Sequence, residues 1–304
     1  MSANQNVGGS KHAFTPNPKP ETPIPNPDSY SLDPNPSPHY PLPMNLAVII
    51  PAAGASSRYT SAGGLRSKID EDLGGRPVLQ RSVELFSNLD CVRTIIVAGP
   101  RDGFDEFVAR HGDKLGLLGV KVCKGGATHR WETVKAALEL VPAEATHIAV
   151  HDGARPITPP ELIERILAAA EKHPAVIPCL DIHDTIKRLS PKAQEDADID
   201  PLDRILGVGS KQRFRTIEAT VPRERLAVVQ TPQVFRADLL RRAYEQADLS
   251  STDDAGLIER LGESVVVVEG DPRNMKITMP GDLHMVRTLG GFKGPAERAV
   301  HKRF

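Results

Sequence analysis

The sequence predicts an α/β protein, a mainly parallel, doubly wound sheet with a protruding arm, on three observations. Short apolar, β-branched runs alternate with stretches of helical period, a small-residue loop rich in glycine follows the first run, and one long stretch breaks the alternation. Strand–helix alternation of this kind lays strands in parallel with helices on both faces. Ligands of such sheets sit beyond the carboxyl ends of the strands, where loops carry the functional groups.

Residues 1–43 hold 11 of the 27 prolines and almost no aliphatic side chains. Such a segment buries too little surface to offset its ordering entropy, so it is expected to be disordered or locally polyproline II. It lacks arginine and carries Glu21, Asp28 and Asp33, unlike an organelle transit peptide. Met44, directly before the first strand, is a candidate translation start. The run from Leu46 to Pro51 then reads as a strand, and Ala52, Ala53 and Gly54 open a loop whose backbone can approach a ligand closely. Arg58 and Lys68 add two cations. The spacing fits neither the P-loop pattern G-x4-G-K-[ST] nor the dinucleotide fingerprint G-x-G-x-x-G.

Residues 93–99, 120–123, 147–151, 175–179 and 265–269 read as strands buried on both faces. Val134, Ala137, Leu138 and Val141 repeat at helical spacing, as do Ile163, Ile166, Leu167 and Ala170. Thr158-Pro-Pro-Glu161 reads as a capping box that opens the second of these helices. Between Lys187 and Thr220 no period survives: Glu195, Asp196, Asp198, Asp200 and Asp203 precede Lys211, Arg213 and Arg215. A stretch this long without periodicity predicts a protruding arm, a dimerisation element or a lid, with a solvated insertion as the plainer alternative. The expected organisation is a Pro-rich tail (1–43), one domain (44–290) with its arm at about 184–224, and a C-terminal tail (291–304).

A net charge of −1 gives no electrostatic footprint for nucleic acid. No apolar run approaches the ~20 residues of a membrane span, and no basic-then-apolar signal opens the chain, so a cytoplasmic protein is expected. Cys91, Cys123 and Cys179 lack metal-ligand spacing and are expected to be buried, reduced thiols.

Charged clusters follow several strand ends. Gly125-Gly126-Ala-Thr-His-Arg130 opens the helix carrying Thr133, whose N-terminus suits an anionic or polar ligand edge. Asp152, at the next strand end, is a candidate ligand of a divalent cation or, equally, half of a structural pair with Arg155. Asp184-Thr185-Ile-Lys187 and Thr220-Val-Pro-Arg223 bracket the arm. Thr252-Asp-Asp254 caps a helix in its simplest reading, and Asn274-Met-Lys276-Ile-Thr278 places a lysine on a short β-like segment. His151 and His183 adjoin acids only in sequence, and no nucleophile–base pair emerges. Several cations with one leading carboxylate suit phosphoryl or nucleotidyl transfer, which needs positioning and charge stabilisation more than covalent chemistry.

These motifs, in this order, resemble the 2-C-methyl-D-erythritol 4-phosphate cytidylyltransferase family over about residues 46–290. The resemblance implies a Rossmann-like sheet of the nucleotide-diphospho-sugar transferase type. It also implies transfer of CMP from CTP to 2-C-methyl-D-erythritol 4-phosphate with Mg2+, in a homodimer whose arms share the active sites. Arg58 and Lys68 match the pair that stabilises the triphosphate; Ala52, Ala53, Gly54, Gly126, Arg130 and Thr133 match the nucleotide-binding segments. Asp152 is then expected to serve the metal and substrate hydroxyls, with Arg155 beside it. Arg223 and Lys276 are expected to position the sugar phosphate, with Thr185 and Thr252 alongside; Thr185 and Arg223 would complete the neighbour's site. Ser67 stands where the family usually has proline, the glycine pair has one extra residue before Arg130, Thr133 stands where serine is usual, and the arm is longer. Two alternatives stay open: ribitol 5-phosphate cytidylyltransferase, and a non-catalytic nucleotide-binding relative.

Overall fold

The computed structural model describes residues 44–191, 194–195 and 213–293. The Pro-rich tail 1–43, residues 192–193 and 196–212 of the expected arm, and residues 294–304 lie outside the described residues.

The first strand, β1 (Leu46–Pro51), is flanked by β2 (Val92–Gly99) on one side and β4 (His147–Val150) on the other, both parallel to it. Beyond β2 lies β3 (Lys121–Lys124), also parallel. The chain therefore winds outward from β1 through β2 and β3 and returns to its other side at β4. That reversal opens a crevice at the carboxyl ends of β1 and β4. Beyond β4, β11 (Gln233–Arg236) runs antiparallel between β4 and β5 (Ala175–Asp181). β10 (Ala227–Val229) pairs with the distal half of β5, and β12 (Val266–Glu269) runs parallel to it. The Thr231–Pro232 peptide between β10 and β11 is cis.

The faces are covered by α2 (Val78–Ser87), α3 (Phe104–Gly116), α4 (Arg130–Leu138), α5 (Pro160–Ala170), α6 (Ala237–Tyr244) and α7 (Ala255–Arg260). Their apolar stripes and the two faces of the sheet form two clusters. One gathers Ile49, Ile96, Val134, Ile148, Phe235 and Leu240; the other gathers Val48, Ile50, Leu79, Phe86, Ile163 and Ile166. Each fully buried side chain of this size is worth about 1.5–3 kcal/mol. A third, smaller cluster joins Tyr59 of the short helix α1 (Ser57–Ser61) to α8 (Pro280–Leu289) through Leu283 and Val286. The packing continues to Phe292, whose ring lies under Arg81.

Several expectations change in detail. Strands β3 and β12 lie at sheet edges with one neighbouring strand each, so their side chains are only partly buried rather than doubly buried, and Val267 is 56% exposed. No capping box opens α5: the buried Thr158 hydroxyl turns away from the helix toward Asn274 Oδ1, at 2.8 Å. Residues 274–278 form no strand; the segment is held by the Ile277 N–H to the Ala154 carbonyl and by the buried Asn274 side chain. Only Cys179 is fully buried; Cys91 and Cys123 are half-buried, and all three are free thiols. In the stretch expected to form an arm, β6 (Ile186–Leu189) and β9 (Ile217–Val221) pair antiparallel, as do β7 (Gln194–Glu195) and β8 (Arg213–Phe214). Its described stem is thus a two-stranded ribbon.

Candidate active site

The crevice between the ends of β1 and β4 is a cleft of about 380 Å3. Its floor is the loop after β1. The Ala52 N–H extends the ladder to the Ala98 carbonyl at 2.8 Å, and Ala53, Gly54 and Ala55 follow with backbone exposed to the cleft. Gly125 closes the floor on the β3 side. A Cβ there would stand 2.7 Å from the Gly99 carbonyl and 3.0 Å from the Ala53 methyl, so only glycine permits this approach. Gly126 donates its N–H to the buried Thr133 hydroxyl at 3.1 Å. At the start of α4, the Glu132 carboxylate folds back onto the N–H groups of Thr128 and His129. Those donors hold the Glu132 pKa below its ordinary value.

Four cations and one carboxylate line the cleft: Arg58, Lys68, Arg130, Lys276 and Asp152. Arg58 lies on α1, fixed by its neighbour Tyr59, whose ring is buried; burial and Glu71 push the Tyr59 hydroxyl up to about 12. Ser56, just before α1, adopts the left-handed region at φ 54°. Its Oγ lies 2.9 Å from Ser67 Oγ and accepts from the Lys68 N–H at 3.4 Å, tying together the two segments that carry Arg58 and Lys68. Burial, the adjacent Lys276 and Arg58 lower the Lys68 pKa to about 8 against the pull of Asp152.

Asp152 is the hub. Its Oδ2 meets Lys276 Nζ at 3.0 Å and Arg155 Nε at 3.2 Å, while Oδ1 lies 4.0 Å from Arg130 Nε. Burial opposes its charge, yet Lys276, Arg130 and Arg155 together hold the carboxyl well below the usual carboxylate range. Beneath it lies a buried polar layer. His151 donates from Nε2 to the Arg155 carbonyl (3.1 Å) and its Nδ1 accepts from the Thr231 hydroxyl (3.3 Å). Thr231 Oγ1 in turn accepts the Asp152 N–H at 3.0 Å. Burial pushes His151 down to about 4, so the ring is neutral at pH 7. Arg155 Nη1 donates to the Asn274 carbonyl at 2.7 Å, which links Asp152 to the segment carrying Lys276. The second anchor is Asp254, fully buried, which accepts from Arg130 Nη2 and from the Tyr244 hydroxyl, each at 2.6 Å. Gln233 Oε1 accepts the N–H groups of Asp254 and Ala255, so this side chain from β11, rather than Thr252, serves the start of α7 together with Asp253.

Of the residues expected from the sequence, Ala52, Ala53, Gly54, Arg58, Lys68, Gly126, Arg130, Thr133, Asp152 and Lys276 meet around one cleft. Four do not line it. Arg155 is buried under Asp152 as a structural partner, because its guanidinium is spent on Asp152 and the Asn274 carbonyl. Thr185 and Arg223 are exposed at the stem of the arm, where Arg223 Nη1 donates to the His183 carbonyl, and Thr252 is exposed before α7. Sequence reasoning missed His151, Thr231, Asn274 and Asp254 as supports of the site. Several of their partners are distant in sequence: Thr231 lies 80 positions from His151, Thr158 lies 116 from Asn274 and Arg130 lies 124 from Asp254.

The sequence profile of IspD, 2-C-methyl-D-erythritol 4-phosphate cytidylyltransferase, matches residues 46–289. A protein of that name from Frankia casuarinae is 39% identical over 257 residues, covering 84% of this chain and 84% of its own. One from Symbiobacterium thermophilum is 36% identical over 251 residues, covering 82% of this chain and 94% of its own. Among solved structures, the Thermus thermophilus enzyme of that name superposes with a TM-score of 0.58 at 30% identity, over 82% of this chain and all of that one.

Proposed function

The chain belongs to the 2-C-methyl-D-erythritol 4-phosphate cytidylyltransferase family, and from that premise we propose that it transfers CMP from CTP to 2-C-methyl-D-erythritol 4-phosphate, giving 4-diphosphocytidyl-2-C-methyl-D-erythritol and pyrophosphate for isoprenoid synthesis. One observation carries this reading: four cations and a single carboxylate converge on a glycine-lined cleft at the reversal point of a mainly parallel sheet.

In this reaction a phosphate oxygen of the acceptor attacks the α-phosphorus of CTP in line, and the bond to the bridging oxygen of pyrophosphate breaks. Negative charge builds on the attacked phosphorus and on the leaving group. Arg58 and Lys68, from one wall, are placed to take up that charge, and the backbone from Ala52 to Gly54 to approach the triphosphate. With a pKa of about 8, Lys68 is mainly protonated at pH 7 and needs no partner to become a cation. Lys276, near Lys68 and held by Asp152, is placed for the acceptor phosphate. Gly126, Arg130 and Thr133 frame the nucleoside end of the cleft.

Among the described residues Asp152 is the one carboxylate lining the cleft, and its Oδ1 is the less engaged oxygen. That donor set fits Mg2+, which takes one or two carboxylates together with substrate phosphates. Held by Asp152 and the triphosphate, Mg2+ would neutralise phosphate charge and favour departure of pyrophosphate. Thr185 and Arg223, exposed on the arm stem and outside the cleft of their own chain, are proposed to complete the site of a second subunit in a homodimer. No helix among the described residues is long and apolar enough to cross a membrane, in keeping with a cytoplasmic enzyme.

Pyrophosphate release with CTP and Mg2+, comparing methylerythritol phosphate with ribitol 5-phosphate, tests the assignment. Preference for the former supports it, and preference for ribitol 5-phosphate overturns the acceptor. No release with either overturns catalysis. Chelation of Mg2+ should abolish release, and sedimentation should report two chains.

A further inference from the structure

Among the cleft's cations, Lys276 is fixed by Asp152 and Arg130 by Asp254, but the Lys68 ammonium makes no ion pair among the described residues. Its position depends on its backbone. Lys68 opens a single 3-10 turn, Lys68–Asp70, that follows a Gly-containing loop. The last residue of that turn is anchored from outside the site. Asp70 Oδ1 meets His111 Nε2 at 2.7 Å, and Asp70 Oδ2 meets Arg110 Nη1 at 2.5 Å. His111 sits in the middle of α3, 2% exposed, with its ring against Phe107 at 4.9 Å between centroids. Phe107 in turn belongs to the cluster that covers the sheet and includes Ile69, the central residue of the turn.

We propose that Asp70, His111 and Arg110 are positioning residues for the cytidylyl transfer: α3 clamps the turn at Asp70 and thereby sets where the Lys68 ammonium stands in the cleft. The chemistry of the clamp is suited to this. A carboxylate gripped on both oxygens by donors from adjacent residues of one helix has a fixed plane as well as a fixed position. The buried His111 ring, wedged on Phe107, has little freedom to follow a moving loop. The donors lower the Asp70 pKa against the effect of its burial, so the carboxylate keeps its charge at neutral pH. A catalytic cation displaced by about 1 Å can cost on the order of 10²-fold in rate, so a residue that touches no substrate can govern turnover.

This inference rests on the cytidylyltransferase reading, and its test has a readout that does not. The groups acting on Lys68 are Lys276, Asp152, Arg58 and Asp282 together with burial. A turn released from α3 lets the ammonium move away from them into water, so its apparent pKa rises from about 8 toward the ordinary lysine value. Competitive amine labelling of the full chain against pH, with Lys68 resolved by peptide mapping, reports that value without any substrate. In Asp70→Asn and His111→Ala, the Lys68 titration is expected to move up by about one unit. Turnover is expected to fall about 10- to 100-fold in kcat, with KM for CTP changed less than about threefold. His111→Gln, which restores a donor near the Nε2 position, recovers most of both. In a Lys68→Ala background, His111→Ala costs nothing further. Asp70→Asn is nearly isosteric and carries the test if His111→Ala fails to fold. An unmoved Lys68 titration in folded Asp70→Asn protein overturns the proposal, as does an undiminished cost of His111→Ala in the Lys68→Ala background. Wild-type protein that shows the low Lys68 titration and no transfer to any acceptor would refute the assigned reaction and leave the clamp standing.

Discussion

Removing the Asp254 carboxylate is the most severe single perturbation the site offers to the fold. The side chain is fully buried, takes Arg130 Nη2 on one oxygen and the Tyr244 hydroxyl on the other, and has no solvent to replace either. In Asp254→Ala the Arg130 guanidinium, 25% exposed, keeps only Asp152 at 4.0 Å as a counter-charge. Breaking one side of a buried pair costs about 3–5 kcal/mol, because the remaining charge stays desolvated. For a domain of this size each kcal/mol lowers Tm by about 2–4 °C, so the expected drop is about 6–20 °C by differential scanning calorimetry. Asp254→Asn, which keeps an acceptor for Tyr244 and loses the charge, should fall between wild type and Asp254→Ala. Pairing Asp254→Leu with Arg130→Met should recover part of the loss, since no unpaired charge then remains buried. A Tm for Asp254→Ala within about 2 °C of wild type would show that Arg130 is solvated enough not to need its partner, and would refute the reasoning.

Arg58→Ala or Lys68→Ala should lower kcat by about 10²–10³ with Tm nearly unchanged; near-normal turnover in either would remove its assigned role. His151, pushed down to about 4 in the folded protein from 6.5, binds more protons when unfolded. Its contribution is therefore complete above about pH 6.5 and lost as pH falls toward 4. It amounts to about 3 kcal/mol, readable as a falling urea midpoint that His151→Gln should flatten. CTP binding should raise the lowered Lys68 pKa and so take up protons at pH 8 and above. Calorimetry in two buffers of different ionisation enthalpy measures this uptake, and identical heats there would contradict it.

The strands and helices were legible because their apolar periods are long and local: Leu46 to Ile50, Ile95 to Ala98 and the stripe of Val134, Ala137 and Leu138 are all buried in the structure. The motif residues were legible as well, since loops after parallel strands carry the chemistry of such sheets. What sequence left dark was pairing at a distance. Thr158 carries the local signature of a cap but hydrogen-bonds Asn274, 116 positions on. Arg155, three positions from Asp152, could be read as its structural partner, but its second bond, to the Asn274 carbonyl 119 positions on, could not. Strand β11 is four residues long and lies beyond a proline, so no period announced it, although its insertion between β4 and β5 brings Gln233 to the start of α7. The edge positions of β3 and β12 depend on strand order, which local composition does not encode.

A lone carboxylate among four cations would be a poor investment in rigidity if it were merely salt-bridged at the surface of the cleft. Asp152 is instead held from below. Its backbone is tied to Thr231, Thr231 to the neutral His151, and its Oδ2 to Arg155, which is itself fixed to the Asn274 carbonyl. Two consequences follow for the incoming phosphates of the two substrates. Lys276 can exchange Asp152 for a phosphate without leaving the carboxylate unpaired, because Arg155 stays in place beneath it. The mutual repulsion of Lys68, Lys276 and Arg58, visible in the lowered Lys68 pKa, is relieved by the ligand's negative charge. The free enzyme thus holds its cations at a spacing that is unfavourable alone and favourable around phosphates, which is the preorganisation that charge-stabilised transfer requires.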